Sequence, residues 1–156
     1  MNKNSEVKAQ NSKLKFKYLE DVVTSDIAFT AYGASYSELF NNAGLALEEA
    51  MVDTKTVEAK TDHEIKFKDL RIEKLLFLFL EELVYLKDAE ELLFREIECN
   101  LTEFAGVWEF VSKLKGEKID PGRHKLKNDV KAVTRHLYEV KQHSDENYSC
   151  IVVLDV

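Results

Sequence analysis

The chain of 156 residues has only five glycines, a single proline and no long apolar run. Its most hydrophobic stretch, LLFLFL at residues 75–80, is followed directly by Glu81 and Glu82. A membrane-spanning helix needs about 20 apolar residues. The N-terminal residues lack the apolar segment of a secretory signal peptide. These absences predict a soluble, cytoplasmic protein that does not associate with membranes.

The scarcity of glycine also argues against a glycine-rich phosphate-binding loop, and neither GxGxxG nor a P-loop motif occurs. The GxSxG and HExxH motifs of hydrolases are absent as well. The four histidines never occupy positions i and i+4 of one predicted helix, which argues against a histidine-based zinc site. No familiar catalytic motif therefore points to an enzyme.

Cysteine is scarce too, with Cys99 and Cys150 as the only two. Neither has a CxxC or Cys/His neighbourhood, and both lie in apolar segments typical of strands. This pattern favours two buried free thiols. A disulfide between them is the alternative that the sequence leaves open.

The net charge of −7 bears on the choice of partner. Nucleic-acid binding depends on Lys and Arg side chains that displace counterions from phosphates, so we expect no stable direct binding to nucleic acid. One stretch is locally basic, and it is either a solvated face or a docking or phosphate-facing patch. Its members are Lys113, Lys115, Lys118, Arg123, Lys125, Lys127, Lys131 and Arg135.

The hydrophobic pattern predicts a disordered tail at residues 1–13 and a single domain at residues 14–156. Alternating apolar and polar residues indicate strands, while apolar residues at helical spacing after Ser35 and after Asp69 indicate two amphipathic helices, with these two residues as N-caps. Ala105-Gly106 and Asp120-Pro121-Gly122 are turn signals. The predicted order is β-β-α-β-α-β-β-β-β, an α+β fold with a mainly antiparallel sheet.

Carboxylates at predicted strand ends are the main candidates for a binding site. Asp155 follows the apolar run at residues 151–154, and Val156 adds a terminal carboxylate. Asp26 lies between two predicted strands. If the first strands pair with the last, these groups converge as oxygen ligands for a hard cation. A solvated chain end and an ordinary turn aspartate are the alternatives.

Taken together, the segments from about Lys15 to Val156 resemble the archease family. The longest and most specific motif is GEKIDPGRHKLKNDVKAVTRH, in which Gly, Glu, Asp, His and the VKAVT run occur in family order. The other motifs, in chain order, are YLEDVVTSDIAFTAYG, SELFNNAGLAL, MVDTKTVE, LLFLFLEELVYLKDAE and the final LDV.

The resemblance implies a metal site formed by Asp26, Asp155 and the oxygens of Val156. Calcium would be the first choice of metal, although oxygen ligands suit magnesium and manganese too. Lys131 matches the lysine of the family's VKA run, and Asp53 matches the acid of its Asp-Thr pair. The family's usual histidine before the first aspartate is replaced by Val23, so no role of that histidine carries over.

The resemblance also implies a function: archease-like proteins promote the guanylylation with GTP of an RtcB-type RNA ligase, which joins tRNA halves. We therefore expect a non-enzymatic activator of tRNA splicing, acting as a monomer or weak homo-oligomer. A chaperone-like interaction module without a metal-dependent role is one alternative. A small metal-dependent hydrolase is another, although no paired histidine offers a general base.

Overall fold

The computed structural model describes residues 14–156, so the predicted disordered tail, residues 1–13, lies outside the described residues. Within that range, seven strands and two α-helices follow in the predicted order, which confirms the α+β class. The elements are β1 (Phe16–Leu19), β2 (Ile27–Gly33), α1 (Tyr36–Met51), a 3-10 helix (Thr54–Thr56), β3 (Thr61–Asp69), α2 (Ile72–Glu90), β4 (Leu92–Phe104), β5 (Val107–Lys118), β6 (Ala132–Ser144) and β7 (Asn147–Asp155).

The first sheet has the antiparallel strand order β1-β2-β7-β6. β7 lies inside the sheet, and its residues 152–154 are fully buried, as expected for an apolar run covered on both faces. Ile27 pairs with Leu154 and Gly33 with Tyr148. β2 therefore does pair with the last strand, while β1 pairs with β2.

The second sheet has the antiparallel order β3-β5-β4. Gly116 of β5 faces Phe94 at a bulge in β4, where the register shifts between Phe94 and Glu96. A Cβ atom at position 116 would lie 1.9 Å from the Leu93 carbonyl oxygen. Only glycine lets the two backbones approach this closely.

A tight hairpin joins β4 to β5, as predicted at Ala105-Gly106. Both residues have positive φ, 52° and 78°, the backbone combination of a type I′ turn. The turn leaves Phe104 85% exposed at the hairpin tip.

Helix α1 begins as its sequence predicts. The Ser35 hydroxyl accepts a hydrogen bond from the Glu38 N–H at 3.1 Å, which satisfies one of the free donors at the helix start. The apolar stripe of the helix then faces inward, with Leu39, Phe40, Ala43 and Leu47 fully buried.

Helix α2 begins differently, because the prediction of Asp69 as its N-cap is wrong. Arg71 occupies that position and makes no side-chain cap. Asp69 instead ends β3, and its carboxylate accepts the Arg71 N–H at 2.9 Å. The same backbone hydrogen bond lowers the pKa of Asp69. The aspartate therefore stabilises the turn into the helix and not the helix start itself.

The two helices connect the sheets through one core. α1 packs against β2 and β4, and α2 packs against β3 and β6. At the centre, the Phe110 ring lies 5.5 Å from that of Phe40 and 4.8 Å from that of Phe79. Each helix therefore contacts both sheets. Neither helix is long and apolar enough to cross a membrane.

The two cysteines lie on different sheets and are both free. Cys150 is buried in β7 and Cys99 is half-buried in β4. Burial raises the pKa of each thiol to about 12, so both stay protonated at neutral pH. In the structure the two thiols therefore do not form a disulfide with each other.

Candidate functional site

The pairing of β2 with β7 brings the two candidate aspartates to one edge of the first sheet. Asp26 directly precedes β2, and Ile27 pairs with Leu154. Continuing this antiparallel register by one residue places Asp26 opposite Asp155. Both side chains are half-buried. Two carboxylates from distant parts of the sequence thus lie on neighbouring strands.

β6 adds a third segment at the same edge. Ala132 pairs with Asp155 from the other side of β7, and the Lys131 N–H donates to the Asp155 carbonyl oxygen at 2.8 Å. Lys131 itself is exposed, and Val156 is half-buried. Asp26, Lys131, Asp155 and Val156 are therefore neighbours.

A cavity of about 270 Å³ opens beside Asp26. On its wall, Lys127 pairs with Glu49 at 2.8 Å, and Glu49 also accepts the Thr54 hydroxyl. Although burial acts to raise it, the hydrogen bonds from Lys127 and Thr54 hold the pKa of Glu49 below its usual value. The remaining lining residues are Tyr18, Leu19, Ile27, Ala28, Ala50 and Asn128.

The donor atoms at this edge are oxygens, from two carboxylates and the main chain of Val156. Hard divalent cations prefer such ligands. Within residues 14–156, no group of three or more His, Cys, Asp or Glu side chains converges on one point. The residues present therefore fit a divalent cation in kind, with further ligands to come from main-chain oxygens, water or a partner.

Asp53 has a structural contact of its own. Its carboxylate accepts the Lys55 N–H at 3.1 Å and so caps the 3-10 helix, while its own N–H donates to the Lys125 carbonyl oxygen at 2.8 Å. Val23, which stands at the position of the family's histidine, is half-buried in the connector between β1 and β2. The structure thus gives Asp53 a capping contact at the end of α1.

The connector between β5 and β6 is organised by a buried glutamate that the sequence analysis did not single out. Glu117 accepts hydrogen bonds from the Glu58 N–H, from Arg123 and from His124 Nε2, the last at 3.0 Å. His124 Nδ1 accepts the Asp120 N–H at 2.9 Å, which assigns the neutral ring as the Nε2–H tautomer. Only the motif GEKIDPGRH hinted at this cluster.

Replacing Glu117 with Gln should remove part of the acid sensitivity of the fold. The hydrogen bond from Arg123, helped by His124 and Glu58, lowers the pKa of Glu117 from 4.5 to about 2. A lowered carboxyl pKa stabilises the fold above pH 4.5, and this contribution is lost as the pH falls toward 2. We expect Glu117→Gln to lower the free energy of unfolding by about 1.5–3 kcal/mol at pH 7 and by much less at pH 2.5.

Urea unfolding at pH 7 and pH 2.5 measures the change in the free energy of unfolding. Glu64→Gln is the matched control, because Glu64 is half exposed on the outer face of the second sheet. An equal loss of stability for Glu117→Gln at both pH values would show that ionised Glu117 stabilises the fold no more than protonated Glu117 does.

The locally basic stretch does not form one patch. In the register of the second sheet, Lys113 lies opposite Glu64 and Glu98, and Lys115 lies opposite Asp62 and Glu96. Side-chain contacts are made by Arg123 with Glu117, by Lys127 with Glu49 and by Arg135 with the Phe77 ring. Within residues 14–156, six members of the stretch form no ion pair: Lys113, Lys115, Lys118, Lys125, Lys131 and Arg135. Arg123 and Lys127 are therefore neutralised by ion pairs, whereas Lys131 contacts Asp155 through its main chain.

Comparison with known proteins gives one consistent result. The model of the Archease protein family matches residues 16–156. The chain is 34% identical to protein archease of Pyrococcus furiosus, over 85% of this chain and 94% of the relative. It is 37% identical to protein archease of Sulfurisphaera tokodaii, over 91% and 99%.

A solved structure agrees with these relatives. The solution structure of Methanobacterium thermoautotrophicum protein 1598 matches with a TM-score of 0.80 at 32% identity, covering 91% of this chain and 99% of that one. The chain therefore belongs to the archease family.

Proposed function

We propose that this protein activates an RtcB-type RNA ligase, promoting its guanylylation with GTP and its multiple turnover in tRNA ligation. The observation that supports the proposal is that the main chains of Asp26, Asp155 and Lys131 are neighbours at one edge of the first sheet. Membership of the archease family supports the accessory role. The protein is then a cytoplasmic helper without a reaction of its own.

The site would act through a bound divalent cation, with calcium as the first choice. Asp26, Asp155 and the main-chain oxygens of Val156 would hold it, and Lys131 would contribute a positive charge beside it. Such a cation neutralises phosphate charge on a nucleotide. The residues of this chain would bind and orient it, while docking on the ligase rests on protein–protein contacts, in keeping with the net charge of −7.

Asp155→Asn and Asp26→Asn should each abolish activation. Each change keeps the size of the side chain but removes one anionic ligand, and we expect stimulation of single-turnover guanylylation to fall at least about tenfold. The measurement follows guanylate transfer to the cognate ligase with and without this protein, in the presence of calcium. Asp145→Asn, in the exposed turn between β6 and β7, is the matched control.

The outcomes separate the competing functions. Wild-type stimulation by either site variant would contradict the metal-dependent role and favour the chaperone-like module. Hydrolysis of a phosphodiester by the protein alone would favour the hydrolase. Loss in both site variants but not in Asp145→Asn is the result that supports the activator.

A further inference from the structure

A buried lysine lies behind the candidate site. Lys87, near the end of α2, has only 9% of its side chain exposed. Its Nζ donates to Asp129 Oδ1 at 2.6 Å and to the Val130 carbonyl oxygen at 2.6 Å, and it pairs with Asp88 Oδ1 at 2.7 Å. An ammonium group has three protons to donate, and these three contacts account for all of them.

Two of the three contacts hold the segment that leads into the site. Val130 is fully buried, and the next residue, Lys131, donates its N–H to the Asp155 carbonyl oxygen at 2.8 Å. A short path therefore runs from Lys87 through Val130 and Lys131 to Asp155. Residues 129–131 form no regular element, so these side-chain contacts take the place of a sheet ladder.

The start of the same segment is held separately. Lys127 and Asn128 donate main-chain hydrogen bonds to Met51 and Ala50, at 2.8 and 3.2 Å. The Asn128 side chain adds a second bond to Ala50 at 2.9 Å. Residues 127–128 are thus attached to the end of α1. In the described part of the chain, Lys87 is the side chain that attaches residues 129–130 to α2.

Packing alone does not explain a lysine at this position. A buried charge destabilises a fold unless it is paired, and an apolar side chain of similar volume is often as stable or more so. Although burial acts to lower it, the bonds to Asp129 and Asp88 raise the pKa of Lys87. The ammonium group therefore stays charged and keeps all its contacts, as positioning of the segment requires.

We propose that Lys87 is a positioning residue for the candidate site: by holding Asp129 and Val130 it fixes Lys131 against Asp155. The consequence for ligase activation rests on the proposed function. The consequence for the local structure does not, because it concerns only contacts within this chain. The two can therefore be tested apart.

The test uses Lys87→Met and the double variant Glu48→Met/Lys87→Met. Glu48 is fully buried near Lys87. Lys87→Met alone would leave this buried acid without its neighbouring positive charge, and the double variant removes the acid as well. Lys74→Met is the matched control, since Lys74 lies on the same helix, half exposed, and pairs with Asp69 at the far end. Urea unfolding of all three reports stability, and we expect the double variant to equal or exceed the wild type.

Amide hydrogen exchange at Lys131 and calcium affinity, measured with the metal alone, report positioning. We expect at least a tenfold loss of Lys131 protection in both Lys87 variants, and a loss of calcium affinity of about tenfold. Wild-type protection in Lys87→Met would overturn the proposal. So would recovery of protection in the double variant, because Lys87 would then act only through stability.

The design distinguishes the two failures. If the wild-type protein neither binds calcium nor stimulates the ligase, the proposed function fails, and the exchange of the Lys131 amide still decides the role of Lys87. If the wild type does both, and both Lys87 variants lose protection and stimulation while Lys74→Met keeps them, the positioning role is supported.

Discussion

Gly116→Ala should destabilise the protein by about 3 kcal/mol, at the upper end of what overpacking usually costs. The new methyl group would lie 1.9 Å from the Leu93 carbonyl oxygen and 2.7 Å from the Phe94 Cα. Both neighbours are backbone atoms, so no side-chain rotation relieves the contact. β4 and β5 would have to separate at the bulge.

Urea unfolding measures the loss, and Gly122→Ala is the matched control. A methyl group at residue 122 would meet nothing nearer than an Asp120 side-chain oxygen at 3.4 Å, an ordinary contact. We expect that change to stay within about 0.5 kcal/mol. Similar midpoints for the two alanine variants would show that the strands do not approach as closely at Gly116 as described.

Glu48→Met should have a large effect of the opposite sign, stabilising the protein by about 1–3 kcal/mol at pH 7. Glu48 is fully buried, and neither of its carboxyl oxygens has a hydrogen-bond partner among residues 14–156. Burial raises its pKa well above 4.5; the Phe94 main chain and Lys87 oppose this only in part. The Phe94 main chain is near, but not in hydrogen-bond geometry.

The sign of the pH dependence follows from the raised pKa. As the pH rises above 4.5, Glu48 ionises more readily in the unfolded chain than in the folded chain, so stability falls. The gain from Glu48→Met should therefore be larger at pH 7.5 than at pH 4. Urea unfolding at both values measures it, with the exposed Glu81→Met as control. A loss of stability at pH 7.5 would mean that an ionised Glu48 is needed beside Lys87.

The order of elements could be predicted because the local signals are strong. Ser35 caps α1 as predicted, and Ala105-Gly106 forms the hairpin. Asp69 was misassigned because an aspartate before an apolar helix is equally suited to the preceding turn. The division of the strands into two sheets could not be predicted, since no local pattern states which strands pair over long distances.

The candidate site was predictable only in its outermost residues. Asp26 and Asp155 stand out because they interrupt apolar segments at strand ends. Lys87, Glu48 and Glu117 lie within helix and strand patterns, where charged residues normally face solvent. Their burial depends on which elements pack above them, and that arises from the tertiary fold alone.

The pairing of β2 with β7 has a consequence for folding. Ile27 and Leu154 are far apart in sequence, whereas β4 and β5 are joined by a two-residue turn at Ala105-Gly106. Because distant contacts form slowly, the hairpin of the second sheet should form early and the β2–β7 pairing late. The edge that carries Asp26 and Asp155 would then be assembled last, after most of the secondary structure of a newly made chain has formed.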